Sequence, residues 1–116
     1  MLLVKTTKIE IKKSKFIGFL YKIVSFDEVD IILNELLKDN RKAAHICYGA
    51  ILNSEVIFKN DNEVGNPGRQ LLQLLELNKM DGYLLVVVRY FGGVKLGVGG
   101  VQRAVRDCGK ECLDFN

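Results

Sequence analysis

The chain has 116 residues, 48% of them hydrophobic and 27% charged, with eleven Gly, one Pro and no Trp. That length suits one domain with its own core, and that composition excludes disorder, collagen and a disulfide scaffold. Against 14 Asp and Glu stand 17 Lys and Arg, for a net charge of +3, short of the bias that would by itself imply nucleic acid.

Lys8–Lys12 alternates polar and apolar residues, as a half-buried strand does. Phe16–Ile23 reads as a second strand with Ile17, Phe19, Tyr21 and Ile23 on one face. Gly18 in its middle predicts a bulge or a close backbone approach. The two strands form an antiparallel hairpin. Ser25 and Glu28 fit a capping box, and Val24 with Val29 fits a hydrophobic staple. Val29, Ile32, Leu33, Leu36 and Leu37 then make one apolar helix face, with Asn40 as a left-handed terminator. Ala44–Leu52 and Glu55–Asn60 read as strands around an Asn53-Ser54 turn. A polar loop leads to a second helix with Asn66 as N-cap and Pro67 at its first position. Its leucines at 71, 72, 74, 75 and 77 predict broad packing. After an Asp81-Gly82 turn, Tyr83–Arg89 is an apolar run suited to a central strand. The last helix places Val101, Ala104, Val105, Cys108 and Cys112 on one face. The order β-β-α-β-β-α-β-α predicts an α+β, two-layer sandwich, one mostly antiparallel sheet with helices packed on it.

The charge is segregated. Residues 1–22 hold six lysines against Glu10 alone, and residues 89–106 hold Arg89, Lys95, Arg103 and Arg106 with no acid. Residues 26–40 hold five acids against Lys38. If the two basic stretches meet, they favour an anionic partner. If they do not, each is a solvated edge, and edge lysines also block aggregation.

The segment Arg89–Gly100 joins the central strand to the last helix and carries Gly92, Gly93, Gly97, Gly99 and Gly100. Glycines there give backbone freedom and open access to the amides of a helix N-terminus, which attracts phosphate or carboxylate. Lys95 and Arg103 add full charges. The same glycines are also explained by close helix–sheet packing. Neither the P-loop nor the dinucleotide fingerprint is present, since Gln102 stands where the latter needs glycine. Tyr90 and Phe91 could stack on bases beside Arg89 or close the core.

Arg89-Tyr90-Phe91-Gly92-Gly93-Val94-Lys95-Leu96-Gly97-Val98-Gly99-Gly100-Val101-Gln102-Arg103-Ala104 resembles the signature of the IMPACT/YigZ family (UPF0029). Lys12-Lys13-Ser14-Lys15-Phe16 and Ala44-His45-Ile46-Cys47-Tyr48-Gly49-Ala50 resemble two further motifs of that family. The resemblance implies a fold like the second domain of ribosomal protein S5, and a chain reduced to the family's core module over 1–116. It also implies a link to translation regulation, with a translation-related protein partner and nucleic-acid binding as the expected modes. The family's D-D-G-E-P-x-G-T-A-G loop is altered here to Asn60–Gly68, which keeps Asp61, Glu63, Gly65 and Gly68.

Three cysteines without framework spacing read as reduced thiols of a cytoplasmic protein. The opening apolar run is too short for a signal peptide, and no run reaches the roughly 18 apolar residues of a membrane span. His45 with Cys47, and Cys108 with Cys112, share faces and could together hold zinc; core thiols are the simpler reading. Cys47 with His45 as a nucleophile–base pair is hindered by the shared strand face.

The leading reading is a binding module rather than an enzyme, with no cofactor and no metal. RNA or a nucleotide would dock on Arg89, Tyr90, Gly92, Gly93, Lys95, Gly97, Gly99, Gly100 and Arg103, extended by Lys12, Lys13 and Lys15. The first alternative is an enzyme on a small phosphorylated or carboxylated substrate, with His45, Asp61 and Glu63 as the polar cluster. The second is a protein-interaction module using the acidic first helix.

Overall fold

A computed structural model describes residues 1–115. Its elements are β1 (Leu2–Ile11), β2 (Ser14–Lys22), α1 (Asp27–Asp39), β3 (His45–Leu52), β4 (Glu55–Lys59), α2 (Pro67–Leu77), β5 (Tyr83–Tyr90) and α3 (Gly97–Leu113). The element order is the one the sequence predicts. One antiparallel sheet runs β1-β2-β5-β3-β4, so β5 is central. Two-residue turns close both hairpins. Lys12 and Lys13, and likewise Asn53 and Ser54, all have positive φ, the backbone that matches strand twist in tight hairpins.

The sheet has a core on each face. Leu85 and Val87 of β5 pack with Phe16, Leu20 and Cys47 under α2 and α3. Leu84, Val86 and Val88 point the other way, into Val29, Ile32 and Leu36 of α1. The alternation of a strand therefore explains why the whole run is apolar: both faces are covered. The helices divide between the two faces, so α1 adds a layer opposite the α2–α3 layer.

Several local expectations are corrected. Gly18 holds no bulge; the register shift lies between Leu3 and Lys5 in β1. The close approach at Gly18 is real, because a Cβ there would stand 2.5 Å from Thr7 Oγ1 and 2.6 Å from Cys112 Sγ. The α1 capping bonds are displaced by one residue: Asp27 N–H donates to Ser25 Oγ (3.0 Å) and Val24 N–H to the Glu28 carboxylate (2.6 Å). The bond from the chain's amino terminus, followed by the one from Val24 N–H, holds the Glu28 carboxyl below its ordinary range. The staple is not formed, since Val24 is 79% exposed. Leu37 likewise leaves the apolar face for solvent. Asn40 has φ −129°, not left-handed, and ends the helix by donating from Nδ2 to Leu36 O (2.9 Å). Asn66 precedes α2 in a left-handed conformation without a side-chain cap. The cap comes from Asn60, whose Oδ1 accepts from Gly68 N–H (2.9 Å).

Candidate functional site

The last inward-facing residue of β5 is Arg89. It follows Leu85 and Val87 on the α2–α3 face, where the strand alternation puts a cation against the core. Burying that charge requires a partner. Glu63, from the loop before α2, supplies it: Arg89 Nη1 stands 2.8 Å from Glu63 Oε2, with side chains 9% and 4% exposed. The guanidinium also lies between two rings, 5.5 Å from the Phe16 centroid and 5.8 Å from that of Phe91. Its Nε is buried without a hydrogen-bond partner among the described residues.

His45 sits opposite Arg89 in the β3–β5 register. Its Nε2 is 3.6 Å from Glu63 Oε2, and its Nδ1 is 2.7 Å from the Asp61 carbonyl. The Asp61 carboxylate accepts from Ile46 N–H at 2.7 Å, which ties the loop to β3. Cys47 donates to the Asn60 carbonyl. Burial, with Glu63 and Asp61 nearby, pushes the Cys47 thiol up to about 12, so it stays protonated at neutral pH and is a poor nucleophile.

The glycine loop closes over this pair. A cavity of about 320 Å³ is lined by Glu63, Val64, Arg89, Phe91, Lys95, Leu96, Gly97, Val98 and Val101. The 17-residue α3 begins at Gly97, and no side chain among the described residues caps it, so its first N–H groups and their partial positive charge face this end of the molecule. Gly93 and Gly97 have φ of 90° and 73°, and a Cβ at either would have no described neighbour within 4 Å. Their freedom serves the path of the loop. Gly92 serves packing: a Cβ there would stand 2.1 Å from the Lys13 carbonyl carbon. Gly92 N–H also donates to Ser14 Oγ (3.3 Å). The two basic stretches therefore meet where the Lys12-Lys13 turn abuts the glycine loop. Val64, Phe91 and Val98 leave apolar surface around the same opening.

The predicted residues separate into groups. Arg89, Lys95, Gly97 and Glu63 line one cavity, with His45 joined to it through Glu63. Gly99 and Gly100 form the first turn of α3. Lys12, Lys13, Lys15 and Arg103 are exposed and do not line the cavity. Tyr90 belongs to the opposite face, where its hydroxyl donates to Asn40 Oδ1 at 2.5 Å; Phe91 holds the place at the cavity. The zinc grouping is not assembled. Cys108 and Cys112 face Thr7 while Cys47 faces Asn60, and no three His, Cys, Asp or Glu side chains cluster for a metal among the described residues. The sequence reading missed the Arg89–Glu63 pair and the buried Ser14 hydroxyl. A cation ending an otherwise apolar strand was the available signal for the pair.

The sequence profile of the Impact N-terminal domain matches residues 12–113. The chain belongs to this family. The Impact domain is 32% identical over 101 residues to IMPACT family member YvyE of Bacillus subtilis, covering 84% of this chain and 46% of that protein. It is 33% identical over 101 residues to IMPACT family member YigZ of Escherichia coli, covering 82% of this chain and 50% of that one. The chain thus spans about half the length of these relatives. The solved structure described as that of a hypothetical protein superposes on the Impact domain with a TM-score of 0.89 at 28% identity, over 97% of this chain and 57% of that one. No helix among the described residues is long and apolar enough to cross a membrane.

Proposed function

We propose that this Impact domain is a non-catalytic binding module that takes a phosphate-bearing ligand, RNA or a nucleotide, at its glycine loop. One observation carries the reading: Lys95 and the uncapped N-terminus of α3 meet at the cavity beside the exposed ring of Phe91. Backbone N–H groups and Lys95 suit a phosphate, and Phe91 with the apolar lining suits a base. Arg89 is neutralised by Glu63 and serves as the floor. Arg103, Lys12 and Lys13 extend the positive field outside. The polar cluster acts structurally in this reading, because the Asp61 carboxylate is held by a backbone N–H and Glu63 by Arg89. A role in translation regulation is supported by family membership. The solved Yih1 structure, described as a two-domain translational regulator, shares the fold at a TM-score of 0.55 and 20% identity over 96% of this chain and 45% of that one.

Fluorescence anisotropy with labelled oligo-uridine across a salt series tests the reading. Affinity should fall as salt releases counterions. Lys95→Glu plus Arg103→Glu should weaken binding by about tenfold or more. No binding at low salt, or binding unchanged in that variant, refutes it. A protein partner is a second reading, favoured by α1, where Asp27, Asp30, Glu35 and Asp39 are exposed around exposed Ile31 and Leu37. Pull-down with charge-reversed Asp27, Asp30 and Glu35 tests it.

A further inference from the structure

A second depression lies beside the glycine-loop cavity, between α2 and α3. It measures about 380 Å³ and is lined by Asn66, Arg69, Gln70, Gln73, Leu77 and Arg106, among others. Its chemistry differs from that of the first cavity. Each helix contributes one exposed arginine, Arg69 from α2 and Arg106 from α3. Neither arginine makes an ion pair among the described residues. No acidic side chain among the described residues lines the groove. Arg69 is braced against Phe58, its guanidinium 6.0 Å from the ring centroid, which leaves it partly ordered before any ligand arrives.

The groove is also lined by the carboxamides of Gln70, Gln73, Gln102 and Asn66. Gln70 and Gln102 both donate from Nε2 to the Gly65 carbonyl, at 2.7 and 3.2 Å. Those bonds fix two of the side chains against the groove wall. Gln70 Oε1 is buried with no donor among the described residues. Leu74 lies under the groove, and Leu77 is 80% exposed at its end.

We propose that this groove is a second binding site, and that its ligand is an extended acidic peptide segment of a partner protein. Carboxylates match the two guanidinium forks, which bind them in bidentate fashion. The exposed carboxamide of Gln73 carries both a donor and an acceptor, so it pairs with the N–H and C=O of a peptide backbone. Leu77 offers contact to an apolar side chain at one end. A single-stranded nucleic acid fits the same charge less well, because recognition of bases relies on stacking and no aromatic ring among the described residues lines the groove. The ring-bearing site is the other one, at Phe91.

The test is anisotropy titration of the intact chain with a short fluorescein-labelled peptide alternating Glu and Leu, beside a Lys–Leu peptide and oligo-uridine. The acidic peptide should bind saturably and the basic one should not. Arg69→Glu plus Arg106→Glu should weaken the acidic peptide by at least about tenfold, while Lys38→Glu, a charge reversal on α1 across the sheet, leaves it within about twofold. The amide side-chain NMR signals of Gln70, Gln73 and Gln102 should shift in the wild-type chain, a readout that needs no variant to fold. Absence of saturable binding, binding indifferent to the arginine charges, or displacement by oligo-uridine overturns the proposal. So does a wild-type dimer that the double arginine variant dissociates, because a second copy's acidic helix would then be the occupant.

Discussion

Glu63→Ala removes one half of the buried ion pair and leaves Arg89 where it is. The guanidinium would then sit 9% exposed with no counter-charge. Leaving a buried charge uncompensated costs about 3–5 kcal/mol. Glu63 stands on a loop, so local movement can admit water and place the loss near the lower end of that range. For a domain of this size each kcal/mol lowers the melting midpoint by about 4 °C, giving a drop of about 12 °C in calorimetry. The double variant Glu63→Leu plus Arg89→Met removes both charges and keeps the volume between Phe16 and Phe91. It should lie within about 1 kcal/mol of wild type, because an apolar replacement avoids the desolvation of both ions. A loss below about 1 kcal/mol for Glu63→Ala, or a double variant as unstable as the single one, refutes the structural role. Glu63 would then be an available carboxylate at the cavity, and acid–base chemistry there would regain its force.

The cysteines should resist alkylation in the folded chain at pH 8, since Cys47 is 2% exposed and Cys108 and Cys112 are fully buried; rapid labelling without unfolding would contradict their packing. Burial pushes both Cys47 and Cys108 from 9.0 up to about 12. The folded chain therefore holds these protons where the unfolded chain loses them, and stability should be intact below about pH 9 and decline toward pH 12. A flat thermal midpoint over that window contradicts it. Gly49→Ala would put a Cβ 2.5 Å from the Leu72 backbone nitrogen, so α2 must shift and about 1–3 kcal/mol should be lost in urea denaturation. Gly99→Ala meets nothing within 4 Å among the described residues. It should leave stability equal or slightly higher, so any loss of oligo-uridine binding in it would report on the site alone.

Much of this molecule was legible in local pattern. Period-two and period-3.6 apolar repeats marked β1, β2, α1 and α3, turn and cap residues marked β3, β4 and α2, and the unbroken run at β5 marked the strand that ends up covered on both faces. These signals are strong because each element must bury one face, or both, whatever its neighbours are. Helix ends were less legible. The spacing of Ser25 and Glu28 announced reciprocal capping, but the backbone shifted both bonds by one residue. The α2 cap came from Asn60 rather than the predicted Asn66, because a loop that doubles back can offer any polar side chain it carries.

The candidate site divides along the same line. Sequence alone determined that a glycine-rich strand-to-helix junction with Lys95 lies at the end of a buried strand. Only the tertiary structure decided which charges remain free there. Arg89 looked like a ligand-binding cation, yet pairing across 26 residues with Glu63 commits it to the core. Tyr90, its neighbour, is carried to the opposite face by the alternation of the strand. The meeting of Lys13 with Gly92, and of Arg69 with Arg106 across one groove, likewise depends on antiparallel register and helix packing. Charge and spacing along a chain record which groups exist. Which of them face water, and which neutralise one another, is set by contacts between residues far apart in sequence.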